Sequence, residues 1–321
     1  MASNAVNFLI GNVLGEFKDS PRSVMTLDST GDLVLLASKH VLNIVNISSP
    51  YVGDSSNLPY NSCKYPNKNV KWEVKAAQWN PHKTESSVFV ITKNHVADIF
   101  VHVNGKVKLL STLQSHTRAI TDLDWSVHDS NLLLTCSSDV QLFETLQSCS
   151  SSQVKWNKLE EHIFATSHDR DIRIWDGRKT DRPIYISGHL KKIHGLDWST
   201  HNSKLLASAS EDETVKFWDY SKPAQYNNIG ELKSRTNSPI WKARFTPFEN
   251  SLLTIDVSTL KGKGDNSLML WDIENLSSPE AKLTFVGYSD VVTEFQWRKS
   301  IIRKFLLSCN IMSKFNSAFI K

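Results

Sequence analysis

Little in this chain of 321 residues invites a chemical reading, and each shortage removes a class of function. Cysteine is scarce: Cys63, Cys136, Cys149 and Cys309 stand far apart, with no CxxC pair. Such spacing supports neither a disulfide framework nor a zinc ribbon, and it points to a reducing compartment. Long apolar runs are missing. Residues 6–14 are too few to span a bilayer and are broken by Asn7, Gly11 and Asn12. No N-terminal stretch has the basic, apolar, small-residue order of a secretory signal. Charge of one sign is not in excess either, since the formal net charge is +4. The basic residues are scattered apart from Lys64, Lys68, Lys71 and Lys75, which read as a solvated loop. No nucleic-acid partner is expected on that basis.

Reaction motifs are absent as well. The chain has no HExxH and no GxSxG, and its glycine–lysine stretch at residues 261–267 lacks the spacing of a phosphate loop. His189 and His194 are five apart, the wrong separation for a metal pair on one helical face. The expectation is therefore no catalytic residue, no cofactor and no metal site; the chain does not read as an enzyme.

What the chain does have is tryptophan, 10 in all. Residues 188–220 show how it is used. They open on Gly188–His189, close on Trp218–Asp219, and hold three short alternating apolar runs at 193–198, 204–210 and 214–218. Polar linkers separate the runs, so they read as antiparallel strands. Trp218 on a central strand brings a buried indole N–H that needs an acceptor. A strand hydroxyl, Ser208 or Ser210, can take it and pass a proton to His189, while Asp212 in the next turn holds the other imidazole nitrogen. Ser208 and Ser210 lie on one face by parity, which leaves both open. A Ser–His–Asp set also suggests hydrolysis, but the repeat accounts for all of these residues as structure.

The same unit recurs. Trp79, Trp125, Trp156, Trp198, Phe245 and Trp297 each end an apolar run, at intervals of 46, 31, 42, 47 and 52 residues. Most of these lie near the roughly 40–45-residue period of a WD40 blade, four strands per sheet. Trp175, Trp218 and Trp271 each precede an Asp, and an Asp stands six residues before each, at Asp169, Asp212 and Asp265. All three are assigned to the structural network. The fold expected is all-β, a seven-bladed WD40 β-propeller with one shortened blade and an incomplete last blade. The shortened blade is the third, where residues 140–152 lack a Trp-Asp strand. Residues 1–299 form the propeller, with one N-terminal strand over 6–18 closing the last blade. Residues 50–71 read as a long loop, residues 257–266 as an insertion, and residues 300–321 as an irregular tail.

Several stretches are more specific than the repeat. Residues 239–248, PIWKARFTPF, and 285–299, FVGYSDVVTEFQWRK, together with HTRAITDLDWS at 116–126 and ATSHDRDIRIWDGRK at 165–179, resemble the WD-repeat subunits of the GATOR complexes, called SEA in fungi. The resemblance implies a scaffold that promotes target-of-rapamycin signalling when amino acids are present. Its partners would be other propeller subunits. It would be cytoplasmic and recruited to the lysosomal or vacuolar membrane through the complex alone, with no transmembrane segment. Family members continue into an RWD domain and a Cys/His-rich zinc-binding end, so the chain is expected to be a truncated form. The reading set against it is a generic WD-repeat adaptor or a histone or nucleic-acid reader.

Overall fold

A computed structural model describes residues 6–9, 13–16, 24–47, 60–64, 73–139, 151–222, 227–247, 250–257, 268–286, 292–297, 304–309 and 314–319. Two strands lead the chain, β1 (Val6–Leu9) and β2 (Val13–Glu16). Four follow as β3 (Val24–Leu27), β4 (Leu33–Ala37), β5 (Val41–Asn46) and β6 (Tyr60–Lys64). The next four are β7 (Val74–Trp79), β8 (Val88–Lys93), β9 (Val96–Val103) and β10 (Lys106–Leu113). A pair comes next, β11 (Ile120–Trp125) and β12 (Leu133–Ser137). Then come β13 (Gln153–Trp156), β14 (Ile163–His168), β15 (Asp171–Asp176) and β16 (Lys179–Ser187). The central unit of the sequence is β17 (Ile193–Trp198), β18 (Leu205–Ser210), β19 (Thr214–Asp219) and β20 (Asn228–Lys233). It is followed by β21 (Ile240–Phe245), β22 (Ser251–Asp256), β23 (Leu268–Asp272) and β24 (Glu280–Val286). Last are β25 (Val292–Trp297), β26 (Lys304–Cys309) and β27 (Lys314–Phe319).

Apart from β1 and β2, these strands form antiparallel sheets in chain order, as short polar connections dictate. Five of the sheets are blades of four consecutive strands: β3–β6, β7–β10, β13–β16, β17–β20 and β21–β24. The expected count of seven is corrected to five such blades. Of the remainder, β11 and β12 make a two-stranded sheet, and β25, β26 and β27 are joined by β2. The residues expected to be deficient in the third unit, 140–150, lie outside the described residues, as do the insertion at 258–267 and Lys68 and Lys71.

Three boundaries differ from the sequence reading. The N-terminal strand is two strands in two sheets: β1 runs parallel beside β24, and β2 antiparallel beside β27. Residues 300–321, expected to be irregular, contain β26 and β27. The loop over 50–71 contains β6, paired with β5 from Val41↔Lys64 to Val45↔Tyr60. Lys64 therefore ends a strand, and Lys75 lies in β7. β6 does not stand out in the sequence. An outermost strand has one neighbour, and its composition is set by solvent as much as by a core.

The chain divides into two compact units. One holds Met1–Leu9 and Val140–Ser289, the other Ile10–Asp139 and Asp290–Lys321. Within each, the core lies between blades rather than inside them. In the first unit, Phe217 and Val215 of β19 pack with Phe245, Leu252 and Trp271 of the following blade. In the second, Leu35 and Ile44 pack with Trp79, Phe89 and Phe100. A sheet blade has two apolar faces, so each needs a neighbour on both sides.

A second device repeats with the ruler residues, which all end their strands: Trp79, Trp125, Trp156, Trp198, Phe245 and Trp297. Leu27 ends β3 at the equivalent position. The residue just before one such position accepts a hydrogen bond from the backbone N–H of the residue at that position in the next sheet. In the second unit Gln296 Oε1 accepts from Leu27 N at 2.7 Å, Thr26 Oγ1 from Trp79 N at 3.3 Å, and Gln78 Oε1 from Trp125 N at 2.8 Å. In the first, Asp197 Oδ2 accepts from Phe245 N at 2.9 Å. Lys158 Nζ neutralises the same carboxylate at 2.8 Å. The strands also approach closely here, since a Cβ on Gly195 would lie 3.1 Å from the Trp241 carbonyl oxygen.

Asp197→Ala is expected to lower stability by about 1–3 kcal/mol, because it leaves a buried N–H without an acceptor. Urea unfolding followed by tryptophan fluorescence measures it, and an unshifted midpoint would remove the inter-blade bond from the account.

Candidate functional site

The residues singled out by sequence meet behind the third strand of the β17–β20 blade. The register sets Trp218 opposite Leu206 and Ser208 opposite Lys216, which makes Ser208 the diagonal neighbour of Trp218. The indole Nε1–H donates to Ser208 Oγ at 2.7 Å, and Ser208 Oγ lies 2.7 Å from His189 Nε2. His189 Nδ1 is 2.9 Å from Asp212 Oδ2, which also accepts from Leu190 N at 2.9 Å. Thr214 Oγ1 donates to the other carboxylate oxygen at 2.6 Å. Every donor and acceptor is matched when Ser208 donates to His189 and His189 Nδ1–H donates to Asp212.

Ser210 does a different job. Its hydroxyl donates to the Lys191 carbonyl at 3.1 Å and accepts from Asp212 N at 3.2 Å, tying the turn to the incoming loop. The Gly-His pair has a steric cause, since a Cβ on Gly188 would overlap the Trp218 ring. Burial alone would raise the Asp212 pKa. The bonds from His189, Thr214 and Leu190 N outweigh it and hold the carboxyl well below the usual range. The His189 side chain is fully buried and Ser208 has no exposed surface. The Ser208 oxygen is thus committed to an indole and an imidazole, out of reach of any substrate.

The other blades build variants of this chain of bonds. In the β11–β12 sheet, His116 Nε2 is 2.9 Å from Thr135 Oγ1, and His116 Nδ1 is 3.1 Å from Asp139 Oδ1. His116, Thr135 and Asp139 repeat the spacing of His189, Ser208 and Asp212. The sequence reading missed Thr135 and Asp139, and that common spacing was the available signal. The position matching Trp218 is Thr145, outside the described residues. Burial would raise the Asp139 pKa, but backbone N–H groups of Thr117 and Arg118 and the imidazole of His116 lower it on balance.

In the β13–β16 blade, Trp175 Nε1 donates to Thr166 Oγ1 at 2.8 Å, and Thr166 bonds His168 Nε2 at 2.8 Å. Asp169, assigned to the network from its spacing, is not in it. It sits in a two-residue turn with φ 56°, mostly exposed, 3.7 Å from Arg170. The turn is one residue shorter than the one holding Asp212, so the residue six before the tryptophan points to solvent. His168, on the strand itself, supplies the imidazole instead.

In the β21–β24 blade Trp271 Nε1 donates to Thr254 Oγ1 at 3.0 Å. Asp265 lies outside the described residues. Two residues beyond Thr254 is a buried carboxyl the sequence did not flag, Asp256, which accepts from Ser234 Oγ at 2.7 Å and Thr236 Oγ1 at 3.2 Å. Burial raises its pKa, and the hydroxyls of Ser234, Thr236 and Thr254 only partly oppose it. Its Oδ1 is buried without a partner among the described residues. No group of three His, Cys, Asp or Glu side chains able to hold a metal occurs among the described residues. No helix among them is long and apolar enough to cross a membrane.

Two outcomes test these bonds. Trp218→Phe removes the indole donor and is expected to cost about 1–3 kcal/mol; an unaltered melting midpoint would contradict it. For Asp256 the folded pKa lies above the unfolded one. Its contribution is complete below the unfolded value and is lost as pH rises through the folded value. Asp256→Asn should therefore match the wild type near about pH 4 and melt at a higher temperature near about pH 8. Parallel melting curves across that range would show that folding does not raise the Asp256 pKa.

Comparison with known proteins agrees with this architecture. The family model for the WD domain, G-beta repeat, matches residues 107–139, 144–176 and 182–219. The chain is 40% identical over 301 residues to human GATOR2 complex protein WDR59, covering 90% of this chain and 29% of that protein. It is 34% identical to Drosophila melanogaster GATOR2 complex protein Wdr59, covering 88% and 29%. The chain thus spans under a third of the length of these curated relatives. A chain in the crystal structure of the mitotic checkpoint complex has the same fold, with TM-score 0.71, 17% identity, and coverage of 92% of this chain and 89% of that one. With its repeated Trp-centred blades and this similarity along nine-tenths of its length, the chain is a WD40 β-propeller protein related to GATOR2 complex protein WDR59.

Proposed function

We propose that the chain is a non-enzymatic scaffold subunit of a GATOR2-type complex, promoting target-of-rapamycin signalling in response to amino acids. The observation that carries the reading is the 40% identity over 90% of the chain to a relative named as a GATOR2 complex protein. The site supports it from another direction. The Ser–His–Asp set that could suggest chemistry is spent on holding Trp218 in a blade. Such blades present loops from a rigid frame, which suits binding to other propeller subunits. The chain would be cytoplasmic and reach the lysosomal or vacuolar membrane only through the complex.

The test is co-purification from cells of the tagged chain, with partners identified by mass spectrometry. Recovery of GATOR2-type subunits in fixed stoichiometry is expected, and it should resist moderate salt. Recovery of nucleic acid that is lost steeply with salt would favour a reader instead. Absence of both would end the assembly reading.

A further inference from the structure

An outermost strand leaves a row of backbone N–H and C=O groups without a neighbour, and proteins cover or blunt such edges. This chain treats its outer strands differently. The edge of β24 is occupied: β1 lies parallel beside residues 283–286, an extended four-residue segment adding a fifth strand to the sheet. The edge of β16 is blunted by Pro183, which lacks an N–H, and by the charges of Lys179, Asp181 and Arg182. β10 carries charge only at Lys106 and Lys108, and among the described strands it has no neighbour but β9. It is eight residues without Pro or Gly, exposed along almost its whole length. Leu109, Leu110 and Leu113 on it are 40%, 54% and 41% exposed, with Val103 at the end of β9 at 52%.

We propose that the outer edge of β10 receives an extended segment of a partner polypeptide as a fifth strand, in the way that β1 adds to β24. The two edges share a local irregularity. The β23–β24 pairing skips Lys282, and β1 pairs from Leu283, the next residue. The β9–β10 pairing skips Leu110 in the same way. The side chains describe the occupant. Leu110 and Leu113 call for apolar residues beside them. Lys106 and Lys108 are exposed, with no ion pair among the described residues, and call for acidic ones. In a parallel addition the acidic residues precede the apolar ones.

A second copy of this chain fits the edge poorly. Antiparallel self-pairing about the middle of β10 would set the two bulges against each other and gather four lysines on one short ladder.

This inference rests on the reading of the chain as a subunit of a multiprotein assembly. The test is hydrogen exchange on the chain alone and on the complex purified through a tagged partner subunit. Amides over 106–113 should slow by about ten-fold or more in the complex, while those of β16 stay unchanged. In parallel, a Leu110→Lys, Leu113→Lys double variant should melt as the wild type does and be recovered in the complex several-fold less. Co-purification with β10 exchanging as in the free chain would overturn this inference alone, as would full recovery of the double variant. Failure to co-purify at all would overturn it together with the assembly reading.

Discussion

A four-stranded blade has two apolar faces and can bury neither by itself. Everything else here follows from that constraint. The inner strand β18 is buried at every position because the blades before and after it press on its two faces. The largest core clusters join side chains of consecutive blades, such as Phe217 with Phe245 and Leu35 with Trp79. Packing alone would let adjacent blades slide, since apolar contact has no direction. The bonds from Gln296, Thr26, Gln78 and Asp197 to the next ruler residue supply the direction, each tying a side chain to one backbone N–H. A blade is thereby placed in register with its neighbour as well as pressed against it.

Tryptophan enters this frame with a polar atom attached, and the rest of each network exists to satisfy it. Trp175, Trp218 and Trp271 all donate to a hydroxyl on the adjacent strand, from Thr166, Ser208 and Thr254. What stands behind the hydroxyl varies: a loop histidine with a turn aspartate, a strand histidine, or a buried carboxyl. Only the indole-to-hydroxyl step is common to all three. That step is fixed by strand pairing, because the hydroxyl is the diagonal neighbour of the tryptophan in each register. The groups further out come from turns and loops, where one residue more or less redirects a side chain.

The same division explains the edges. Inner strands have a core on both faces, so their composition announces them. Outer strands see solvent, and each is finished in its own way. β24 is covered by a segment from the far end of the chain, β16 is interrupted by proline, and β10 has β9 as its one neighbour among the described strands. Interaction sites concentrate where a fold leaves such work incomplete, while its buried Ser–His–Asp set is fully engaged in structure.

By itself the sequence determined the repeat: the ruler residues closing each first strand, the Trp-bearing third strands, and the pairing of His189, Asp212 and Trp218. These are legible because a strand's period of two and a short hairpin keep their consequences local. Tertiary structure decided what depends on neighbours distant in the chain. Ser208 and Ser210 have the same parity, and only the register with β19 selects Ser208. Asp169 and Asp212 have the same spacing, and only turn length separates their directions. Residues 6–18 read as one strand, and the division into two came from two separate edges, β24 and β27, each with backbone groups to satisfy.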